Sequence, residues 1–339
     1  MNSTTALAMR MSLVLVLLLP GAAQAQDAAS RFQAEAAAAW QEYLSHAEKM
    51  VGSFDVRISY NGKPGRHFHY EVKQNHSCRM FEATTLFHSD WEKPDTGNKE
   101  GKRPSKDTVL AGSNPAYTFR IEKKAGASKW LLGDVKKKAK PEQLGNWIPR
   151  IAHGLEVLFT VDAVRLADLM ALPYFKLVEV RSAGELVEVQ FDAAHPMTKE
   201  LQKIHIQKGL LVLDPKAYWC LSRASLTLMS LSNVTTAGAE WAPSTEEIEY
   251  TYHKEGGVPV PDRILSHSTF SAGKTEHVTD YQIRIADVPD HEFYLSSFNL
   301  PEPQGVRPPR RGIPLFLWLP VLAGLCFVAM MIVRRFARR

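Results

Sequence analysis

The sequence lacks most of the features that would identify a chemistry. Only three cysteines occur in 339 residues, Cys78, Cys220 and Cys326, which excludes a disulfide-dense scaffold. No HExxH, GxSxG, CxxC or EF-hand pattern is present, so the spacings used by metalloproteases, α/β hydrolases, dithiol oxidoreductases and calcium sensors are missing. Gly273-Lys274-Thr275 imitates the end of a phosphate loop, but Ser268 stands where the first glycine is required. The body also lacks net charge. The formal +5 resides in Arg10 near the start and in Arg334, Arg335, Arg338 and Arg339 at the end, and without these five the 41 Lys and Arg match the 36 Asp and Glu. Nucleic acid is not an expected partner of such a body.

Long uncharged runs stand out at the two ends. Arg10 precedes the apolar run Met11 to Leu19, Pro20-Gly21 breaks it, and Ala23-Gln24-Ala25 places small residues where a signal peptidase cuts. The run is too short to span a bilayer, so residues 1–25 read as a signal peptide. At the other end, Ile313 to Val333 is uncharged over 21 residues, about 31 Å as an α-helix against a hydrocarbon core of roughly 30 Å. The arginines that follow it suit a cytoplasmic tail. The sequence therefore leads to the expectation of an integral, single-pass inner-membrane protein with its main domain on the periplasmic side. In that layout, residues 26–306 form the exported domain, 307–312 a juxtamembrane linker, 313–333 the transmembrane helix and 334–339 the arginine tail.

Within the exported body the hydrophobic period changes. Phe32, Ala36, Ala39, Trp40, Tyr43, Ala47 and Met50 recur at helical spacing, Ser30 and Gln33 have capping-box spacing, and Gly52 closes the run. Then Phe54, Val56, Ile58 and Tyr60 alternate with polar residues, Asn61-Gly62 signals a turn, and Phe68, Tyr70 and Val72 alternate again, the pattern of an antiparallel hairpin. Similar pairs follow around Ala125-Gly126, Ala183-Gly184, Asp214-Pro215 and Gly256-Gly257. Between them, Leu155, Leu158, Phe159, Val164, Leu166, Leu169 and Met170 read as a central helix over 151–172 stopped by Pro173. The fold class expected is α+β: a large curved antiparallel sheet of about ten strands, half-barrel-like, with an N-terminal and a central helix on one face, plus the C-terminal transmembrane helix.

This order resembles the periplasmic lipoprotein-carrier superfamily, the LolA/LolB-like half-barrels. The stretch that carries the resemblance best is Leu211-Val212-Leu213-Asp214-Pro215-Lys216 leading into Trp219 to Leu228, with Gly257-Val258-Pro259-Val260-Pro261 before a late strand. It implies a helix-plugged sheet face that holds acyl chains, and a lipid or lipoprotein partner. Two departures are the expected membrane span and the polar loop from Glu92 to Thr108. The end of the chain, with Pro301-Glu302-Pro303, an apolar span and terminal arginines, resembles PEP-type sorting tails, although Gln304 to Gly312 intervene.

Candidate sites follow from this layout. Val56, Ile58, Phe68, Tyr70, Phe119 and Ile121 are the apolar residues expected to line a ligand concavity, with ordinary core packing as the alternative. Lys136, Lys137 and Lys138 could contact anionic headgroups or a partner. They belong to residues 91–140, which hold thirteen Lys and Arg against six Asp and Glu, whereas residues 241–306 hold four against eleven. Such opposite fields are complementary faces, an inter-subunit contact, a headgroup-facing patch or simply solvated loops. His67 and His69 lie two apart on one strand, and with His88 they could form part of a zinc or copper site, or the solvated side of the hairpin. Cys78 and Cys220 pair only if their strands are adjacent. No cofactor is implied. The function expected is non-enzymatic: an envelope protein that binds an apolar or lipid ligand or docks an envelope partner. An envelope hydrolase or metal-binding protein with a dispersed site, and a structural adaptor, are the competing classes.

Overall fold

The computed structural model describes residues 28–87, 107–137, 154–162, 164–193, 204–235 and 238–309, with a few positions between 324 and 334. The expected signal peptide lies outside them. The described residues open with helix α1 over 28–46. Its residues Phe32, Ala36, Trp40 and Tyr43, and Ala47 just beyond its end, are almost fully buried, as one stripe of an amphipathic helix should be. The stripe ends earlier than its spacing suggests, because Met50 and Gly52 already belong to the first strand.

Strands β1 (Lys49–Tyr60), β2 (Lys63–Asn75), β3 (Cys78–Phe87), β4 (Thr108–Ser113), β5 (Tyr117–Lys123) and β6 (Leu131–Lys137) form one antiparallel meander. A crossover contains a short ribbon of β7 (Thr160–Val161) and β8 (Val164–Arg165), and helix α2 (Leu166–Met170). A second meander then runs through β9 (Lys176–Ala183), β10 (Leu186–Asp192), β11 (Ile204–Asp214), β12 (Cys220–Thr235), β13 (Gly238–Glu255), β14 (Val258–Phe270) and β15 (Gly273–Ile285). Pairing of β1 with β15, from Met50 opposite Ile285 to Tyr60 opposite Thr275, joins the two meanders into one 13-stranded sheet bounded by β6 and β9.

The sheet is covered on both faces. Its front face packs against α1 and the crossover through Phe54, Val56, Tyr70, Val72, Val189, Phe191, Leu211, Leu226 and Ile283. Trp40 Nε1 donates to the carbonyl of Trp219 at 3.2 Å, and the Tyr43 hydroxyl donates to that of Pro259 at 2.9 Å. On the back face, Met80, Leu110, Tyr117, Phe119 and Ile121 pack under Val288, Phe293, Tyr294 and Leu295. Residues 288–306 therefore act as a strap over β3–β6.

Three expectations are corrected. The sheet has 13 strands instead of about ten. The central helix over 151–172 is replaced by a 3-10 turn (Gly154–Phe159), the β7–β8 ribbon and the five-residue α2. Asp162 adopts φ 44°, which reverses the chain where a helix would have to continue, while Leu158, Phe159, Val161, Leu166 and Leu169 still reach the core. Finally, no helix among the described residues is long and apolar enough to cross a membrane, and a span needs about 20 consecutive apolar residues in a helix. This overturns the transmembrane helix and the single-pass inner-membrane placement. Most of the stretch 313–333 lies outside the described residues; Gly324, Cys326, Phe327 and Met330, which are described, are exposed helical positions.

Candidate functional site

The contacts of α1 fall where β12 and β14 begin, so it covers one end of the front face. Toward the other end, three rows of side chains cross neighbouring strands. Tyr250, Ile264, Thr279, Val56 and Phe68 form the first row, Ile248, Ser266, His277 and Ile58 the second, and Glu246, Ser268 and Thr275 the third. Burial is uneven across these rows, in which Ile248, Ser266 and Ser268 stay buried. Val56 is 1% exposed, whereas Ile58, Phe68 and Ile264 are only partly buried and rest on the edge of the core.

The rows also change from apolar to polar. The Ser266 hydroxyl donates to Glu246 Oε1 at 2.6 Å, and Ser268 donates to the same oxygen at 3.4 Å. Burial holds the Glu246 carboxyl above the usual carboxylate range, and the two serine hydrogen bonds offset part of that rise. Burial pulls the His277 imidazole below its ordinary value, so the neutral ring is favoured. Tyr70, deeper in the same face, is pushed up to about 12 by burial. None of Glu246, Ser266, Ser268 and His277 was singled out from the sequence. Their signal is weak there, since polar residues within β13–β15 look like an outward-facing strand side.

Of the residues expected to line a concavity, Val56, Ile58, Phe68 and Tyr70 are brought together on the front face. Phe119 and Ile121 lie on the back face under the strap, both fully buried. The Phe119 ring lies over Gly112, where a Cβ would stand 2.3 Å from its Cζ, so this position needs glycine to admit the ring.

The remaining candidates separate. Lys136 Nζ lies 3.7 Å from Asp134, Lys137 Nζ donates to the Gln304 carbonyl at 2.9 Å, and Lys138 is outside the described residues. Both Cys78 and Cys220 are free thiols. Cys78 belongs to the back cluster and Cys220 to the front core, and five strands separate β3 from β12. At about 4.8 Å per strand that is far beyond the roughly 7 Å a disulfide tolerates, so the pairing is excluded. Burial pushes the Cys78 thiol up to about 11 and raises that of Cys220 further, leaving neither a thiolate at neutral pH. His67 Nε2 and His69 Nδ1 both lie 3.2 Å from Asp55 Oδ1, so they share one carboxylate oxygen. Among the described residues, no three His, Cys, Asp or Glu side chains are arranged to hold a metal ion; His88 lies outside them.

Comparison with known proteins identifies no matching family model and no matching curated protein. Solved structures do show similarity. A LolA superfamily protein from Nitrosomonas europaea is 13% identical with a TM-score of 0.34, covering 75% of this chain and 96% of its own. A domain described as an outer membrane lipoprotein-sorting protein from Vibrio parahaemolyticus is 9% identical with a TM-score of 0.36, covering 77% and 97%. The MucA/MucB complex of Pseudomonas aeruginosa gives 10% identity and a TM-score of 0.13, covering 74% and 98%. At these identities and scores neither a family nor a residue role passes from them to this chain.

Proposed function

We propose that the chain is a non-enzymatic binding protein that takes an apolar, lipid-type ligand on the front face of its sheet, beyond the end of α1. The observation that carries this reading is the group of partly buried side chains Ile58, Phe68 and Ile264 in neighbouring rows beside the hydrogen-bonded margin of Glu246, Ser266 and Ser268. An apolar wall with a few fixed polar groups at one side suits a ligand with a long apolar body and one polar end. The neutral His277 and the serine-bound Glu246 present donors and acceptors to that end.

The test is native mass spectrometry of the full chain purified without detergent, combined with displacement of a hydrophobic dye by phospholipid. The expected result is co-purified lipid and dye displacement, with affinity weakened about tenfold or more by Ile58→Asp, the cost of a charge in an apolar contact. Absence of both lipid and displacement in the parent protein would sink the reading.

A further inference from the structure

The two oxygens of the Glu246 carboxyl have different surroundings. Oε1 accepts from both Ser266 and Ser268. Oε2 has no hydrogen-bond partner among the described residues, yet it is not one of their sealed, partnerless polar atoms. It is therefore accessible from outside. The two serine bonds hold the carboxyl in place, which leaves Oε2 as the acceptor for an incoming group.

The strands give this carboxyl no counter-ion. Leu226 of β12 and Ser268 of β14 stand opposite it on either side. Along β13 its neighbours on the same side of the strand are Ser244 and Ile248, both buried. His277, opposite Ser266 in the next row, is kept neutral by burial. No Lys or Arg among the described residues forms an ion pair with Glu246. Arg66 on β2 is four strand spacings from β13, about 19 Å along the sheet, and has interactions of its own.

A half-buried carboxyl in this setting sorts ligands by their polar end. A carboxylate or phosphate end would bring a second negative charge beside Glu246, with no cation to offset it once water is displaced. A hydroxyl end donates to Oε2 without adding charge, and an ammonium end donates and also supplies the missing counter-ion. We propose that Glu246 makes the front-face site selective for amphiphiles whose polar end donates a hydrogen bond, a hydroxyl or an ammonium, and selects against those with an acidic end. A phospholipid ending in ethanolamine, neutral overall with an ammonium at its tip, meets this requirement. The selectivity rests on the front-face reading and adds the charge of the end group, which the apolar rows alone do not determine.

The experiment titrates dodecanol, dodecylamine and dodecanoate, which share one chain length, against the dye-loaded full chain at neutral pH. Dodecanoate is expected to bind about tenfold or more weakly than the better of the other two. In Glu246→Gln, which keeps the shape of the side chain and removes its charge, that preference should shrink to within about twofold. Glu246→Asp, which keeps the charge, should retain it, and thermal melting checks that both variants fold. Tighter binding of the amine marks a cationic ligand and tighter binding of the alcohol an uncharged one; either supports the proposal. Dodecanoate binding as tightly as both, or a preference unchanged in Glu246→Gln, while Ile58→Asp still weakens binding, overturns the selectivity and leaves the apolar site standing. Failure of all three to displace the dye also overturns the selectivity, and failure of phospholipid as well overturns both.

Discussion

The two faces of the sheet are built by different means. The front face is closed by a regular helix whose spaced aromatics, Phe32, Trp40 and Tyr43, enter a core shared by both meanders. The back face is closed by residues 288–306, which have only two short 3-10 turns (Asp290–Phe293 and Leu295–Phe298) and are held one hydrogen bond at a time. Asn75 Nδ2 donates to the Val288 carbonyl at 2.8 Å, and Asn114 Nδ2 donates to that of Phe293 at 2.9 Å. The Tyr117 hydroxyl donates to Glu302 and accepts from the Leu295 amide, while the Ser296 amide donates to Glu302 at 2.7 Å. A helix satisfies its own backbone, so its partners need only be apolar; an irregular segment must find a partner for each polar group. The strap also brings the end of the acidic segment onto strands of the basic one, where Lys137 donates to the Gln304 carbonyl.

That contrast can be broken from either side. The largest effect is expected from Phe32→Ala, which empties a fully buried position in the shared core. It should cost about 3–5 kcal/mol and shift the whole urea transition, both meanders together. Phe293→Ala removes an equally buried ring from the strap, yet should cost at most about 3 kcal/mol, because the strap can detach alone. Hydrogen exchange should then quicken in β4 and β5 while β12–β14 keep their protection; equal loss throughout would show that the strap belongs to the same cooperative unit. Glu302→Gln weakens the charge-assisted bonds from Tyr117 and Ser296 and should cost about 1–2 kcal/mol, read as faster proteolysis within 288–306.

The smallest effect concerns Glu246 and depends on pH. Burial raises its carboxyl above the unfolded value, so the folded state holds its proton more tightly. That contribution is fully present below the ordinary carboxylate range near 4.3 and is lost as pH rises through the folded value. Glu246→Gln should therefore matter little at pH 4 and stabilise modestly at pH 7, by about 1 kcal/mol or less. A stabilisation that shrinks as pH rises would contradict the assignment.

What the sequence made legible was the hairpins, and the reason is local. Asn61 and Gly62 both adopt positive φ, 49° and 74°, as the dipeptide demands, and the flanking alternation sets one face of each strand against the core. β4 carries no such signal, because Thr108–Ser113 is buried on both sides and its alternation is erased. The crossover was misread because apolar spacing reports which residues turn inward, and a 3-10 turn, a ribbon and a short helix can turn the same residues inward. Phe119 and Ile121 were grouped with Phe68 because alternation separates the two sides of a strand without revealing that both sides are covered. The strap had no period at all, and Glu302, conspicuous between two prolines, proved to be one of its anchors. The Glu246 margin depends on strands β13, β14 and β15 coming into register, which no single segment encodes.

The β1–β15 pairing has a consequence in time as well as in space. Each meander is built from hairpins that can form as soon as their residues are made, but the strand that joins them is the last to be synthesised. Contacts such as Arg57 with Asp280 span 223 positions, and closing such a distance is a slow step in folding. Until β15 arrives, β1 and β14 are open edges facing each other across a gap one strand wide, and any extended chain could fill it. A polypeptide interrupted before Gly273 would hold nearly all of its strands and still be two half-sheets with adhesive rims.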